Sequence, residues 1–163
     1  MDIKKIYRYA LQREYEGKRF FIENADRLKN PVAANAFNNL AEEEKKHIEF
    51  ILSLLDAMDH PEAAASLSGS ELEKAGFFSQ RAVSEAMDQS VFEAMVPDLP
   101  VLRMAYLIER DFAEFYESAA KNMAGSSQQA LQMLARWERG HEILFKQYYD
   151  QAFEEYAQMP WGG

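Results

Sequence analysis

Leu40-Ala41-Glu42-Glu43-Glu44-Lys45-Lys46-His47 and, much further along, Leu134-Ala135-Arg136-Trp137-Glu138-Arg139-Gly140-His141 follow one pattern. Each opens on Leu-Ala and ends in Glu-x-x-His, with Glu44 matched to Glu138 and His47 to His141 at an offset of 94, where Phe37 also falls on Leu131. At an offset of 95, Ala10 falls on Ala105, Glu14 on Glu109, Phe20 on Phe115, Phe21 on Tyr116 and Ala25 on Ala120. The chain is therefore read as two copies of one unit. Most matched positions are apolar residues that any pair of helices could share. Two glutamates and two Glu-x-x-His pairs are not.

Apolar residues around the repeat recur at helical spacing, as in Ile3, Tyr7, Ala10, Leu11, Phe21, Ala25 and Leu28. Asn30-Pro31 is an N-cap followed by proline in a first turn, and His60-Pro61 is a stop. The expected helices run over about 2–29, 31–59, 100–123 and 127–157, with a tail at 158–163. A connector at 60–99 holds looser sequence, including an alanine run and Ser68-Gly69-Ser70, with short helices near 71–76 and 80–95. No segment alternates as a strand does. Helices of roughly 24–31 residues would be about 36–46 Å long. The tight turns predict two antiparallel hairpins, and a connector of this length predicts a long crossover between the second and third helices. The fold class expected is an all-α four-helix bundle in a single domain spanning 1–163.

The 163 residues, 48% of them hydrophobic, suffice for one core and not for two. With 27 acidic against 18 basic residues the net charge is −9, which speaks against nucleic acid as a partner. There is no cysteine, so disulfide scaffolds, cysteine-held metals and thiol nucleophiles are excluded. No stretch has the length and apolarity of a membrane span, and Met1-Asp2-Ile3-Lys4-Lys5 leads into mixed polar sequence without an apolar signal core. The expected address is the cytoplasm.

Glu14 and Glu44 lie at nearly equal distances from the turn at Asn30, about 21–24 Å along their helices, and Glu109 and Glu138 flank Gly125 in the same way. Glu-x-x-His spacing puts carboxylate and imidazole on one helix face. Four glutamates and two histidines thus converge on one layer of the core. Four buried carboxylates without cations would repel one another and be costly to desolvate. Two divalent ions would balance them, with His47 and His141 as nitrogen ligands. One Glu from each of two helices plus Glu-x-x-His from each of the others is a di-metal ligand set. Its mixed oxygen and imidazole donors suit iron or manganese better than zinc or copper, although zinc could occupy the site on isolation.

These residues resemble the ferritin-like superfamily and, within it, the rubrerythrin-like di-iron domains. Arg13-Glu14 with Phe20-Phe21, and Glu109-Arg110 with Phe115-Tyr116-Glu117, are similar to that family's first and third helices. Leu40 to His47 is similar to its second helix almost residue for residue. The likeness covers roughly 1–59 and 100–157, and the connector matches no pattern. It implies a ferritin-like bundle holding two iron ions per chain, with Glu44 and Glu138 bridging and Glu14 and Glu109 terminal. Rubrerythrins also carry a carboxylate one turn beyond the third-helix glutamate, where this chain has Phe112, and a small iron domain built on four cysteines. The expected function is Fe(II) oxidation by a small oxidant, O2 or peroxide. The alternative is a non-catalytic iron-binding or metal-sensing bundle. A second copy of the chain, as a homodimer, is an expected protein partner.

The neighbours of these six residues carry their own expectations. Glu42, Glu43, Asp111, Glu114 and Glu142 are expected to be solvated, His60 to sit at a helix end, and Trp137 to pack in the ordinary way. Tyr106 and Tyr116 are candidates to line the site or simply to pack. Gly17 should leave a gap beside the site through which an oxidant could approach. The eight methionines are expected to fill the core. The end Met159-Pro160-Trp161-Gly162-Gly163 is expected to be loose, tucked against a neighbour, or a docking peptide.

Overall fold

A computed structural model describes residues 2–62 and 69–160, so the expectations for 63–68 and for the end of the tail at 161–163 lie outside the described residues. Asp2 opens the first helix by accepting the N–H of Lys4 at 3.0 Å. This helix, α1 (Ile3–Ala25), pairs with α2 (Pro31–Asp59) to form one hairpin. Asn30 caps α2 through Oδ1, which accepts from Val32 N at 2.8 Å and Ala33 N at 3.1 Å, with Pro31 in the first turn. Such a cap satisfies two of the helix's orphan N–H groups. The connector holds α3 (Gly69–Ala75), α4 (Phe78–Ser84), α5 (Gln89–Glu93) and a 3-10 turn (Val96–Asp98). The second hairpin is α6 (Leu99–Lys121) with α7 (Gly125–Gln158). Among the described residues there is no strand, and no helix is long and apolar enough to cross a membrane.

Boundaries move where a side chain or a special φ takes charge. α1 stops at Ala25, short of 29, because the Asp98 carboxylate claims the N–H groups of Lys29 and Asn30 at 2.7 and 2.8 Å. α7 starts at Gly125, whose φ of +62° turns the chain sharply at a position open only to residues that tolerate the left-handed region. The stretch expected as one helix near 80–95 is two, because Asp88 caps a new helix through Ser90 N at 2.9 Å.

Two apolar clusters fill the bundle. One gathers Phe21, Phe37 and Leu40 from the first hairpin with Leu102, Leu144 and Phe145 from the second. Phe21, Phe37 and Phe145 pack with ring centroids 5.1–5.5 Å apart. Each buried ring contributes about 1.5–3 kcal/mol over an exposed one. The other cluster gathers Tyr7, Ile51, Tyr116, Leu131, Leu134 and Trp137. Because the first contains both the start of α2 and the start of α6, these helices begin at the same end of the bundle. The two clusters flank a polar layer. Met95 is buried as a core methionine should be, whereas Met58, Met104 and Met159 are exposed, so methionine does not serve only to fill the core.

Candidate metal centre

Glu14 of α1, Glu44 and His47 of α2, Glu109 of α6, and Glu138 and His141 of α7 occupy that polar layer, each at most 1% exposed. They form two groups of four: Glu14, Glu44, His47 and Glu138, and Glu44, Glu109, Glu138 and His141. In each group one donor atom per residue lies within 4.8 Å of the others, and Glu44 and Glu138 belong to both. His47 Nδ1 is 2.8 Å from Glu138 Oε1, 3.2 Å from Glu44 Oε2 and 3.3 Å from Glu14 Oε2. His141 Nδ1 faces Glu138 Oε2 at 3.3 Å, and Glu44 Oε1 and Glu109 Oε2 both at 3.4 Å. The four helices thus bring all six side chains into one buried cluster.

Hydrogen bonding within the cluster is incomplete. Among the described residues, both oxygens of Glu44 and of Glu109, Glu138 Oε2, His47 Nε2 and His141 Nδ1 are buried without a hydrogen-bond partner. Buried polar atoms are nearly always paired, and each unpaired one is costly. Acceptors gathered this closely fit a cation, and oxygen with imidazole nitrogen fits iron or manganese.

The charges confirm how strongly these groups feel one another. Burial, then the charges of Glu138 and Glu44, hold the Glu14 carboxyl well above its ordinary range. Burial, then Glu44 and Glu138, do the same to Glu109. Burial and Glu138 push Glu44 upward too, but the close approach of the Glu14 carboxyl and of the His141 and His47 imidazoles prevails and brings it to about 2. Glu138 also falls well below its ordinary value, the His47 charge and hydrogen bonds outweighing burial. Burial lowers both imidazoles, yet the surrounding carboxylates, Glu138 first at His47 and Glu109 first at His141, raise them well above the ordinary value. Without metal, the cluster thus favours protons on Glu14, Glu109 and both histidines and the charged form of Glu44 and Glu138. Protons and divalent ions therefore compete for the same groups.

Several neighbours correct the sequence expectations. Glu43 is not solvated: it is buried, and its Oε2 lies 2.7 Å from His141 Nε2. It also accepts from Ser79 N and Ser79 Oγ, both at 3.3 Å. Helix α4, from the connector, covers this face of α2, and nothing in the periodicity announces that. The available signal was register, since Glu43 stands one turn before His47 and one turn after Leu40. Glu142 is also largely buried, held between Arg110 and Arg139. Trp137 does more than pack: its ring stacks on His47 at 5.1 Å and 28°, and its N–H donates to Glu73 Oε1 at 3.1 Å.

Tyr116 lines the centre and donates to Glu14 Oε1, whereas Tyr106 packs away from it against Tyr149. Phe112 is buried and fills the space beside Gly17, where a Cβ would come within 3.0 Å of its Cε2, and the Arg13 guanidinium lies 4.9 Å over its ring. The gap expected beside Gly17 is therefore closed. Glu42, Asp111 and Glu114 are exposed, and His60 ends α2 outside the cluster.

A family model described as Rubrerythrin matches residues 5–149. No curated protein and no solved structure matches the chain significantly.

Proposed function

The chain belongs to the rubrerythrin family, and from that premise we propose that it is a carboxylate-bridged di-iron protein that oxidises Fe(II) with O2 or peroxide. The observation that carries this reading is the pair of four-residue groups sharing Glu44 and Glu138. Glu44 and Glu138, common to both groups, would be the shared carboxylates, Glu14 and Glu109 would each serve one ion, and His47 and His141 would supply the nitrogen donors. Iron bound there would supply the electrons that reduce the oxidant. The chain's own part is geometry and dryness. Tyr116 holds Glu14 in place, and Phe112 under Arg13 walls off the Glu44 side from water. The same reading takes the connector at 60–99 as a long crossover, supported by the bonds from Lys29 and Asn30 to Asp98.

Anaerobic protein loaded with Fe(II), mixed rapidly with O2 and separately with peroxide, should show growing near-ultraviolet absorbance in both, and Glu138→Ala should show none. A second reading, iron binding or sensing without turnover, is favoured by the closure of the Gly17 gap by Phe112. Tight Fe(II) binding with absorbance unchanged by either oxidant would select it.

A further inference from the structure

Through Nδ1 the two histidines share Glu44 and Glu138, with Glu14 added at His47 and Glu109 at His141, but they differ on their far sides. His141 Nε2 lies 2.7 Å from Glu43, which Ser79 of α4 fixes through two further bonds. An imidazole that gives Nε2–H to a carboxylate keeps its Nδ1 lone pair free for metal. His47 Nε2 is buried with no partner among the described residues, on a ring stacked with Trp137 and His141 and set edge-on to Phe77. An ion on Nδ1 makes the opposite N–H a stronger donor. At His141 Glu43 accepts it, and at His47 nothing does. The terminal carboxylates lean the same way. Tyr116 engages one oxygen of Glu14, while both oxygens of Glu109 remain unpartnered and open to an ion.

The geometry points to two ion positions of unequal affinity: the one at Glu109 and His141 fills first, and Glu43, held by the connector, is the positioning residue responsible. This rests on the two-ion reading above. Outer partners of ligating histidines typically carry about 10–100-fold in metal affinity, and a separation of that order is expected here.

The test is anaerobic titration of the metal-free full chain with Co(II), followed by calorimetry and visible absorption. Two steps should appear. Glu109→Ala should remove the tighter and Glu14→Ala the weaker. Glu43→Ala should weaken the tighter step by about 10–100-fold and change its visible spectrum, leaving the weaker step in place. Glu43→Gln, whose amide oxygen still accepts from Nε2–H, should restore most of the loss. Should Glu43→Ala not fold, Ser79→Ala loosens the same carboxylate more gently and should move the tighter step alone. Trp137→Glu, at the matched repeat position, offers His47 an acceptor and should bring the two steps together. Two ions binding with one affinity, or Glu43→Ala weakening both steps alike, would overturn the inference while leaving the di-metal reading intact. Uptake of no ion would sink both.

Discussion

The hairpin α1–α2 and the hairpin α6–α7 carry the same ligands at matched positions yet surround them with different residues. Glu14 corresponds to Glu109, and Glu44 with His47 to Glu138 with His141. One residue before each Glu-x-x-His glutamate, Glu43 corresponds to Trp137; the first bonds the other hairpin's histidine and the second stacks on it. One turn after each first-position glutamate, Gly17 corresponds to Phe112, and the ring fills the notch the glycine leaves. Phe21 corresponds to Tyr116, so Glu14 receives a hydroxyl across the bundle and Glu109 receives none. The repeat keeps whatever could touch an ion and has diverged in whatever touches the ligands. Affinity and access can therefore differ between halves without any ligand being altered.

The largest expected effect tests the shared part of that comparison. Glu44→Ala and Glu138→Ala each remove a carboxylate common to both four-residue groups. Both variants should lose the paired ions and fall to background in Fe(II) oxidation, equally. Metal content by elemental analysis, read beside oxidation rates, checks this. A variant that keeps two ions and full activity would show that its glutamate is not shared.

Metal removal comes next in size. Glu14, Glu109, His47 and His141 have raised proton affinities in the folded protein. Their stabilising contributions are complete below their ordinary values, 4.5 for the glutamates and 6.5 for the histidines, and are lost as pH rises through the raised folded values. Glu44 and Glu138 have lowered values, so their contribution is present above 4.5 and is lost only as pH falls toward about 2 at Glu44. Between about pH 5.5 and 7.5 the first set dominates, and metal-free protein should lose stability with rising pH. Metal, which displaces those protons, should then raise the melting temperature more at the higher pH. At 100 times its dissociation constant it adds about 2.7 kcal/mol per site. Equal metal-induced shifts at both pH values would mean the carboxylates do not form a proton-holding cage.

How much of this was legible without coordinates follows the same division. The six converging residues could be read because repeat, spacing and height along the helix are local properties of the chain. The hairpins followed from Asn30-Pro31 and Gly125 for the same reason. Glu43 is masked by the acidic run Glu42-Glu43-Glu44: its register toward His47 hints at burial, but the burial itself depends on α4 and on His141 of α7. The contact depends on how residues 69–98 lie across the bundle, and their sequence has no strong period. Trp137 on His47 and Phe112 in the Gly17 notch are likewise contacts between helices, which helical periodicity does not encode.

Phe112 offers a way to sharpen the comparison at the level of chemistry. A glutamate there would stand one turn beyond Glu109, where the rubrerythrin pattern has a carboxylate, and would make the α6 side richer in oxygen than the α1 side. The unmodified protein should oxidise Fe(II) with O2, with peroxide not faster by orders of magnitude. Phe112→Glu should raise the ratio of peroxide to O2 rates severalfold. Rapid turnover of peroxide by the unmodified chain with O2 inert would show that Phe112 does not set oxidant preference.

The smallest effect concerns the same ring and turns on a sign. Gly17 is inside α1, where replacing glycine with alanine ordinarily gains about 1 kcal/mol of helix stability. Here the new Cβ would meet Phe112 Cε2 at 3.0 Å, and the ring is confined from outside by the Arg13 guanidinium. Overpacking a confined side chain costs about 1–3 kcal/mol. Gly17→Ala should therefore be neutral to about 2 kcal/mol destabilising in the metal-free protein, the difference between those two effects. Phe112→Leu removes the Cε2 and Cζ atoms that the alanine meets. In that background Gly17→Ala should recover its helix gain and become stabilising by up to about 1 kcal/mol. Urea unfolding of the four proteins in this cycle measures the coupling directly. Alanine at 17 stabilising by the same amount in both backgrounds would mean that Phe112 is free to give way and does not wall off the Glu44 side as proposed.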